Sequence, residues 1–246
     1  MTGHDVPSAR VVVLKDGEAV AREMARWLLE EALAKKDGPF VIALSGGSTP
    51  KRLFKIMAEP EFAKTFPWDR TQIFFGDDRH VPYTHADSNY TMTRQLLLDH
   101  VAIPPANVHP IPADGTPEDD AALYQRSLER VYGGSVLEPG RPLFDVIMLG
   151  MGPDGHTASL FPRQPILGER EKWVAACTPD NAPHDRVSLT YPAIHSSRHV
   201  VFLVEGAGKA EMLARVRKGE DALPSSHITS EGDVTFLTDE AAAGDL

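Results

Sequence analysis

Residues 40–50 read Phe40-Val41-Ile42-Ala43-Leu44-Ser45-Gly46-Gly47-Ser48-Thr49-Pro50. Five apolar residues run without a polar interruption, and two glycines, three hydroxyl residues and a proline surround the turn that follows. An unbroken apolar run of this length suits a strand buried on both faces of a parallel sheet. The glycines allow a sharp turn, and the Thr49-Pro50 pair predicts a helix that Pro50 begins and Thr49 caps. A buried strand feeding a helix through a tight turn is the repeating unit of an α/β fold.

The same rhythm extends along the chain in both directions. Further strands are expected at 10–14, 40–45, 72–76, 144–150, 173–177, 186–190, 199–204 and 234–237. Helices are expected at 18–36, where Val20, Met24, Trp27 and Leu28 form one stripe, at about 117–132 behind the Thr116-Pro117 cap, and at 209–218. Alternation of this kind predicts a doubly wound, mostly parallel sheet with helices on both faces, a modified Rossmann-like architecture. The Gly/Pro-rich stretches 111–116 and 132–143 read as surface loops, because the alternation continues past each. A single α/β domain spanning 1–246 is expected.

Composition bounds the function. The 246 residues are 42% hydrophobic and 24% charged, an ordinary globular balance, and Cys177 is the single cysteine. One cysteine excludes an internal disulfide, fits a reducing compartment and reads as a small buried hydrophobe. The formal net charge of −10 argues against sequence-independent binding to nucleic acid or to an anionic membrane. Stretch 1–10 carries no basic segment followed by an apolar one, and no apolar run is long enough to span a bilayer. A soluble, cytoplasmic protein is expected, either a monomer or a small homo-oligomer.

Ligands of such folds bind at the carboxyl ends of the strands. Four segments occupy those positions. The first is the turn Ser45, Gly46, Gly47, Ser48 and Thr49, which brings N–H groups, hydroxyls and a helix N-terminus into one volume; it reads as a phosphate site or as an ordinary capped turn. It lacks the first glycine of a G-x-S-x-G elbow, which argues against Ser45 as a nucleophile. The second, Gly76-Asp77-Asp78-Arg79-His80-Val81-Pro82, clusters two acids, a guanidinium and an imidazole.

The third segment runs from Gly150 to Pro162 and contains a literal G-x-G-x-x-G. Pro153 inside the fingerprint and Pro162 soon after it argue against a dinucleotide site. What remains is His156 in a glycine-rich turn with Asp154 two residues before it. The fourth is a pair of cations, Arg186 opening a strand and Lys209 opening a helix. Lys209 follows a glycine-containing turn, but Walker A would need glycine at Leu203 and a hydroxyl residue at Ala210. His195 and His199 are spaced i, i+4 without sharing a helix, and His80 and His85 fall in a loop, so no metal is expected.

Taken together and in this order, these segments resemble the 6-phosphogluconolactonase family, part of a wider group with glucosamine-6-phosphate isomerase/deaminase. The similar stretches are 45–50, 76–82, Asp87-Ser88-Asn89-Tyr90, 150–162, 186–190 and Gly206-x-x-Lys209. After the shared Asp-Gly-His turn, Thr157-Ala158-Ser159-Leu160-Phe161-Pro162 follows the lactonase pattern and supplies no further acid, unlike the deaminase branch. Two positions depart from the pattern: Asp78 stands where Glu is common, and His80 where Trp is common.

The resemblance implies hydrolysis of a phosphorylated sugar lactone in the oxidative pentose phosphate pathway, with His156 as general base and without a cofactor. Asp154 or Asp77 would orient His156, and Arg79 with backbone N–H groups would meet the oxyanion. Arg186, Lys209 and the turn 45–49 would hold the 6-phosphate. The alternatives are an amino-sugar isomerase/deaminase and a non-catalytic sugar-phosphate-binding protein.

Overall fold

The computed structural model describes residues 4–180 and 182–244. The first three residues of stretch 1–10, read above as lacking a leader, lie outside it. In chain order the strands are β1 (His4–Asp5), β2 (Arg10–Leu14), β3 (Phe40–Leu44), β4 (Thr71–Phe75), β5 (Asp77–Arg79), β6 (Phe144–Leu149), β7 (Val174–Cys177), β8 (Arg186–Leu189), β9 (Ser197–Val204), β10 (Thr229–Ser230) and β11 (Asp233–Asp239). The α-helices are α1 (Gly17–Ala34), α2 (Ser48–Met57), α3 (Pro60–Ala63), α4 (Asn89–Leu96), α5 (Pro117–Tyr132), α6 (Tyr191–His195), α7 (Ala210–Arg217) and α8 (Glu240–Ala243).

Six strands form a parallel sheet in the order β2-β11-β9-β6-β3-β4. All of β3 and β6 is buried, as unbroken apolar runs require of strands covered on both faces. The chain passes outward from β3 to β4, then returns to place β6 on the other side of β3. Strand order therefore reverses between β3 and β6, and a crevice opens there at the carboxyl ends.

The expected helices form, with sequence-readable ends. Asp16 caps α1 by accepting from Ala19 N at 2.9 Å, and Val20, Met24 and Leu28 are buried along its inner stripe. Thr116 caps α5 with Pro117 in its first turn, and Gly133 ends it at φ +78°. The expected helix 209–218 is α7, with Met212, Leu213 and Val216 inward and Lys209 in the 3₁₀ turn before it.

One expectation needs correction. Segments 173–177 and 186–190 form strands, but outside the parallel sheet: β7 and β8 pair antiparallel, and β5 adds to β8. Only eight residues, 178–185, join β7 to β8, fewer than the dozen or so a parallel crossover needs. This small sheet is tied to the main one through Gly76, whose N–H donates to Leu44 O and whose carbonyl accepts from Leu189 N, both at 2.8 Å. Tyr124 of α5 fixes the adjacent end of β4, its hydroxyl accepting from Phe75 N at 2.6 Å and donating to Phe75 O at 2.9 Å. No described helix is long and apolar enough to cross a membrane.

Candidate active site

The turn after β3 differs from its expected form in one respect. The helix starts at Ser48 rather than Pro50, and its N-cap is Gly47, at φ +107°, with no side-chain cap. Thr49 is already helical. Its first-turn N–H groups are therefore left without a side-chain acceptor and face the crevice, which strengthens the site as a place for an anion. Gly46 is required by contact: a Cβ there would stand 1.9 Å from Asn89 Oδ1.

The second segment builds a wall of the crevice through β5. Asp78 points inward, 3% exposed, and its carboxylate accepts from Asn89 N (2.6 Å), Arg79 N (2.8 Å), Tyr90 N (3.1 Å) and Ser88 Oγ (3.1 Å). Burial pushes its carboxyl up to about 6 against those donors. The acid at 78 thus organises the start of α4. Asp77 and Arg79, alternating outward, both line the crevice. Asp77 Oδ2 accepts from Ser159 Oγ at 2.6 Å, and Arg79 Nη1 donates to Asn89 Oδ1 at 2.7 Å.

Arg186 lies directly opposite Arg79 in the β5–β8 ladder. It is 5% exposed, and its buried Nη1 has no hydrogen-bond partner among the described residues. Burial and the neighbouring Arg79 both draw its pKa below the ordinary arginine value. Two like charges side by side with a spare buried donor are chemically suited to receive an anion.

The turn after β6 presents His156. Its Nδ1 meets Asp154 Oδ1 at 2.5 Å, and the same oxygen accepts from His156 N at 3.1 Å. Beside a carboxylate Nδ1 carries the proton, so Nε2 keeps its lone pair; no hydrogen bond occupies Nε2 among the described residues. Burial raises the Asp154 carboxyl, but His156 outweighs it and holds the pKa below the usual value. Phe161 covers the imidazole at a centroid distance of 4.3 Å. Gly152 leaves the ring its place, since a Cβ there would fall 2.1 Å from His156 Nδ1. Lys209 Nζ donates to Met151 O in this same turn at 2.7 Å, and burial lowers its pKa against the pull of Asp154.

Ten of the eleven residues singled out from sequence line one cleft of about 410 Å³: Ser45, Gly46, Gly47, Ser48, Thr49, Asp77, Arg79, His156, Arg186 and Lys209. Asp154 does not line it and meets it through His156. Of the two acids, Asp154 contacts His156 and Asp77 contacts Ser159.

The sequence matches the family described as glucosamine-6-phosphate isomerases/6-phosphogluconolactonase over residues 15–236. The chain belongs to that family. It is 40% identical to the 6-phosphogluconolactonase of Nostoc sp. over 243 residues, covering 96% of this chain and 98% of that protein. Against the 6-phosphogluconolactonase of Synechocystis sp. it is 40% identical over 223 residues, 89% of each chain. The solved 6-phosphogluconolactonase from Trypanosoma cruzi superposes with a TM-score of 0.85 at 28% identity, covering 100% of this chain and 99% of that one.

Three polar side chains of the cleft escaped the reading of single residues: Asn89, Ser159 and Glu205. Asn89 and Ser159 sit in stretches that carry the family resemblance, which is the signal that could have found them. Glu205 had none. It follows β9, contacts Thr49, has a buried oxygen without a partner among the described residues, and burial raises its pKa. His80, in place of the family's common Trp, stays outside the cleft and pairs its Nε2 with buried Asp120 Oδ2 of α5 at 2.8 Å.

Proposed function

We propose that this chain hydrolyses 6-phospho-D-glucono-1,5-lactone to 6-phosphogluconate, a step of the oxidative pentose phosphate pathway. The observation that carries the reading is His156, held at Nδ1 by Asp154 and facing a cation-rich cleft with Nε2 free. Nε2 takes a proton from water as the oxygen attacks the lactone carbonyl, and the imidazolium then protonates the departing ring oxygen. Asp154 fixes the tautomer and stabilises the imidazolium. Arg79 and N–H groups of the glycine turns stabilise the oxyanion, with Asp77 holding Ser159 and the nearby wall in place. Arg186, Lys209 and the turn 45–49 hold the 6-phosphate, so that remote binding energy positions the carbonyl. A lactone is already an activated ester and needs no cofactor. The same reading takes residues 1–246 as one domain of a cytoplasmic protein, a monomer or small homo-oligomer that binds neither nucleic acid nor membrane.

The test is lactone hydrolysis above the spontaneous rate, in the presence of a chelator, with ammonia release from glucosamine 6-phosphate assayed in parallel. Accelerated lactone opening without ammonia supports the reading. Ammonia release, or no acceleration of either reaction, overturns it.

A further inference from the structure

Beside the cleft, and outside the residues given a role above, His85, Asp87 and His184 bring three potential ligand atoms within 4.8 Å of one another. Two of them come from the loop before α4 and the third from the segment before β8, 97 residues away from Asp87. The two imidazoles converge on a single oxygen: His184 Nε2 lies 3.2 Å and His85 Nδ1 3.9 Å from Asp87 Oδ2. Their rings meet edge to face at 75° rather than stacked. Asp87 N donates to His85 Nδ1 at 3.1 Å, so an ion bound at that nitrogen takes the place of this hydrogen bond. His184 is turned toward this point by a left-handed backbone, φ +69°.

We infer that this cluster is a site for a borderline divalent transition metal such as Zn²⁺. Tetrahedral Zn²⁺ bound at about 2.0–2.1 Å sets neighbouring ligand atoms about 3.3–3.4 Å apart, which the two imidazole–carboxylate distances of 3.2 and 3.9 Å approach. Two imidazoles and one carboxylate suit Zn²⁺, Co²⁺ or Ni²⁺, whereas Mg²⁺ and Ca²⁺ demand shells of oxygen. The three residues are partly exposed, so water completes the shell. The ion displaces the proton shared between His184 and Asp87. It also joins two cleft walls, because Asp87 O accepts from Arg79 Nη1 at 3.2 Å and Ala182 lines the cleft. Its role is to fasten that rim, and hydrolysis does not pass through it.

Isothermal titration of the metal-free protein with ZnCl₂ should find one equivalent bound, with a rise in Tm. Co²⁺ should give the visible absorption of a tetrahedral centre. His85→Gln and His184→Gln should each weaken Zn²⁺ binding roughly tenfold or more, and the double variant should lose the Tm rise, the absorption band and the equivalent. Far-UV circular dichroism checks that the variants fold, and their lactone hydrolysis in chelator should match that of the parent chain. The inference is overturned if the parent chain takes up no Zn²⁺ at millimolar concentration, or if the folded double variant binds it with unchanged stoichiometry and affinity. Because the metal is read by binding and spectrum, these outcomes stay separate from those that test the hydrolysis.

Discussion

Arg79 and Arg186 occupy directly opposed positions in the β5–β8 ladder, and one nitrogen of the buried Arg186 has no partner among the described residues. Like charges directly opposed on a ladder weaken it, and an unmatched buried donor adds a desolvation cost. Such an arrangement stabilises the protein only when an anion joins the pair.

Replacing Arg186 with methionine should therefore leave the Tm of the ligand-free protein unchanged or higher, because a buried, poorly matched charge gives way to an apolar chain of similar length. Sulfate or inorganic phosphate should raise the Tm of the parent chain and do so much less in the variant. A methionine variant that melts well below the parent without anion would show that Arg186 serves the fold rather than a ligand.

His156→Ala should lower kcat by roughly 10²–10⁴ while leaving affinity for phosphorylated ligands much less changed, as loss of a general base requires. Asp154→Asn keeps the shape but removes the charge that fixes the proton on Nδ1. Its kcat should fall less than that of His156→Ala, with KM nearly constant. Steady-state kinetics on both variants checks this. An Asp154→Asn enzyme of parental kcat would dissociate the 2.5 Å contact from the chemistry.

Cys177 offers a prediction in pH. The residue is half-buried rather than fully buried as expected; its thiol donates to Ser159 O at 3.2 Å, and the burial it has, reinforced by Asp77, pushes its pKa up to about 12. A raised thiol pKa keeps the unreactive protonated form dominant well above pH 8. Native protein should react with a disulfide reagent at pH 8 far more slowly than urea-unfolded protein, and the native rate should climb steadily from pH 8 to 10. Equal native and unfolded rates would contradict the burial.

The legible part of the site is the part that depends on residue type over short spans. Gly152, Asp154 and His156 lie within five residues and answer to one local geometry, so their association shows in the chain itself. The pairing of Arg79 with Arg186 does not, since it depends on the register of two strands 107 positions apart. The small antiparallel sheet was hidden for a related reason. A run such as Val-Ser-Leu-Thr has the same appearance in either kind of sheet, and only the eight-residue connection distinguishes them. The helix after β3 was misplaced by two residues because Gly47, without a side chain to bond, serves as its cap where Thr49 offered a hydroxyl. Glu205 was invisible because its setting against Thr49 exists only after β9 and β3 have joined the same sheet.

The sharpest test of the phosphate assignment uses Arg186 and Lys209 together. They lie on different walls, Arg186 against Arg79 and Lys209 against the Met151 carbonyl, yet both line one cleft beside the turn 45–49. A charge-assisted hydrogen bond contributes about 1.5–3 kcal/mol, so Arg186→Ala or Lys209→Ala should cost roughly ten- to a hundredfold or slightly more in kcat/KM. Two cations that share one ligand are coupled, so the loss in the double variant should depart from the sum of the single losses. Unphosphorylated glucono-δ-lactone separates phosphate reading from damage to the cleft. It should be a poor substrate for the parent chain, and both single variants should handle it nearly as the parent does. If the variants lose as much on the unphosphorylated lactone as on the phosphorylated one, these cations do not read the phosphate. The anion receptor would then have to be sought at the uncapped N-terminus of α2 alone.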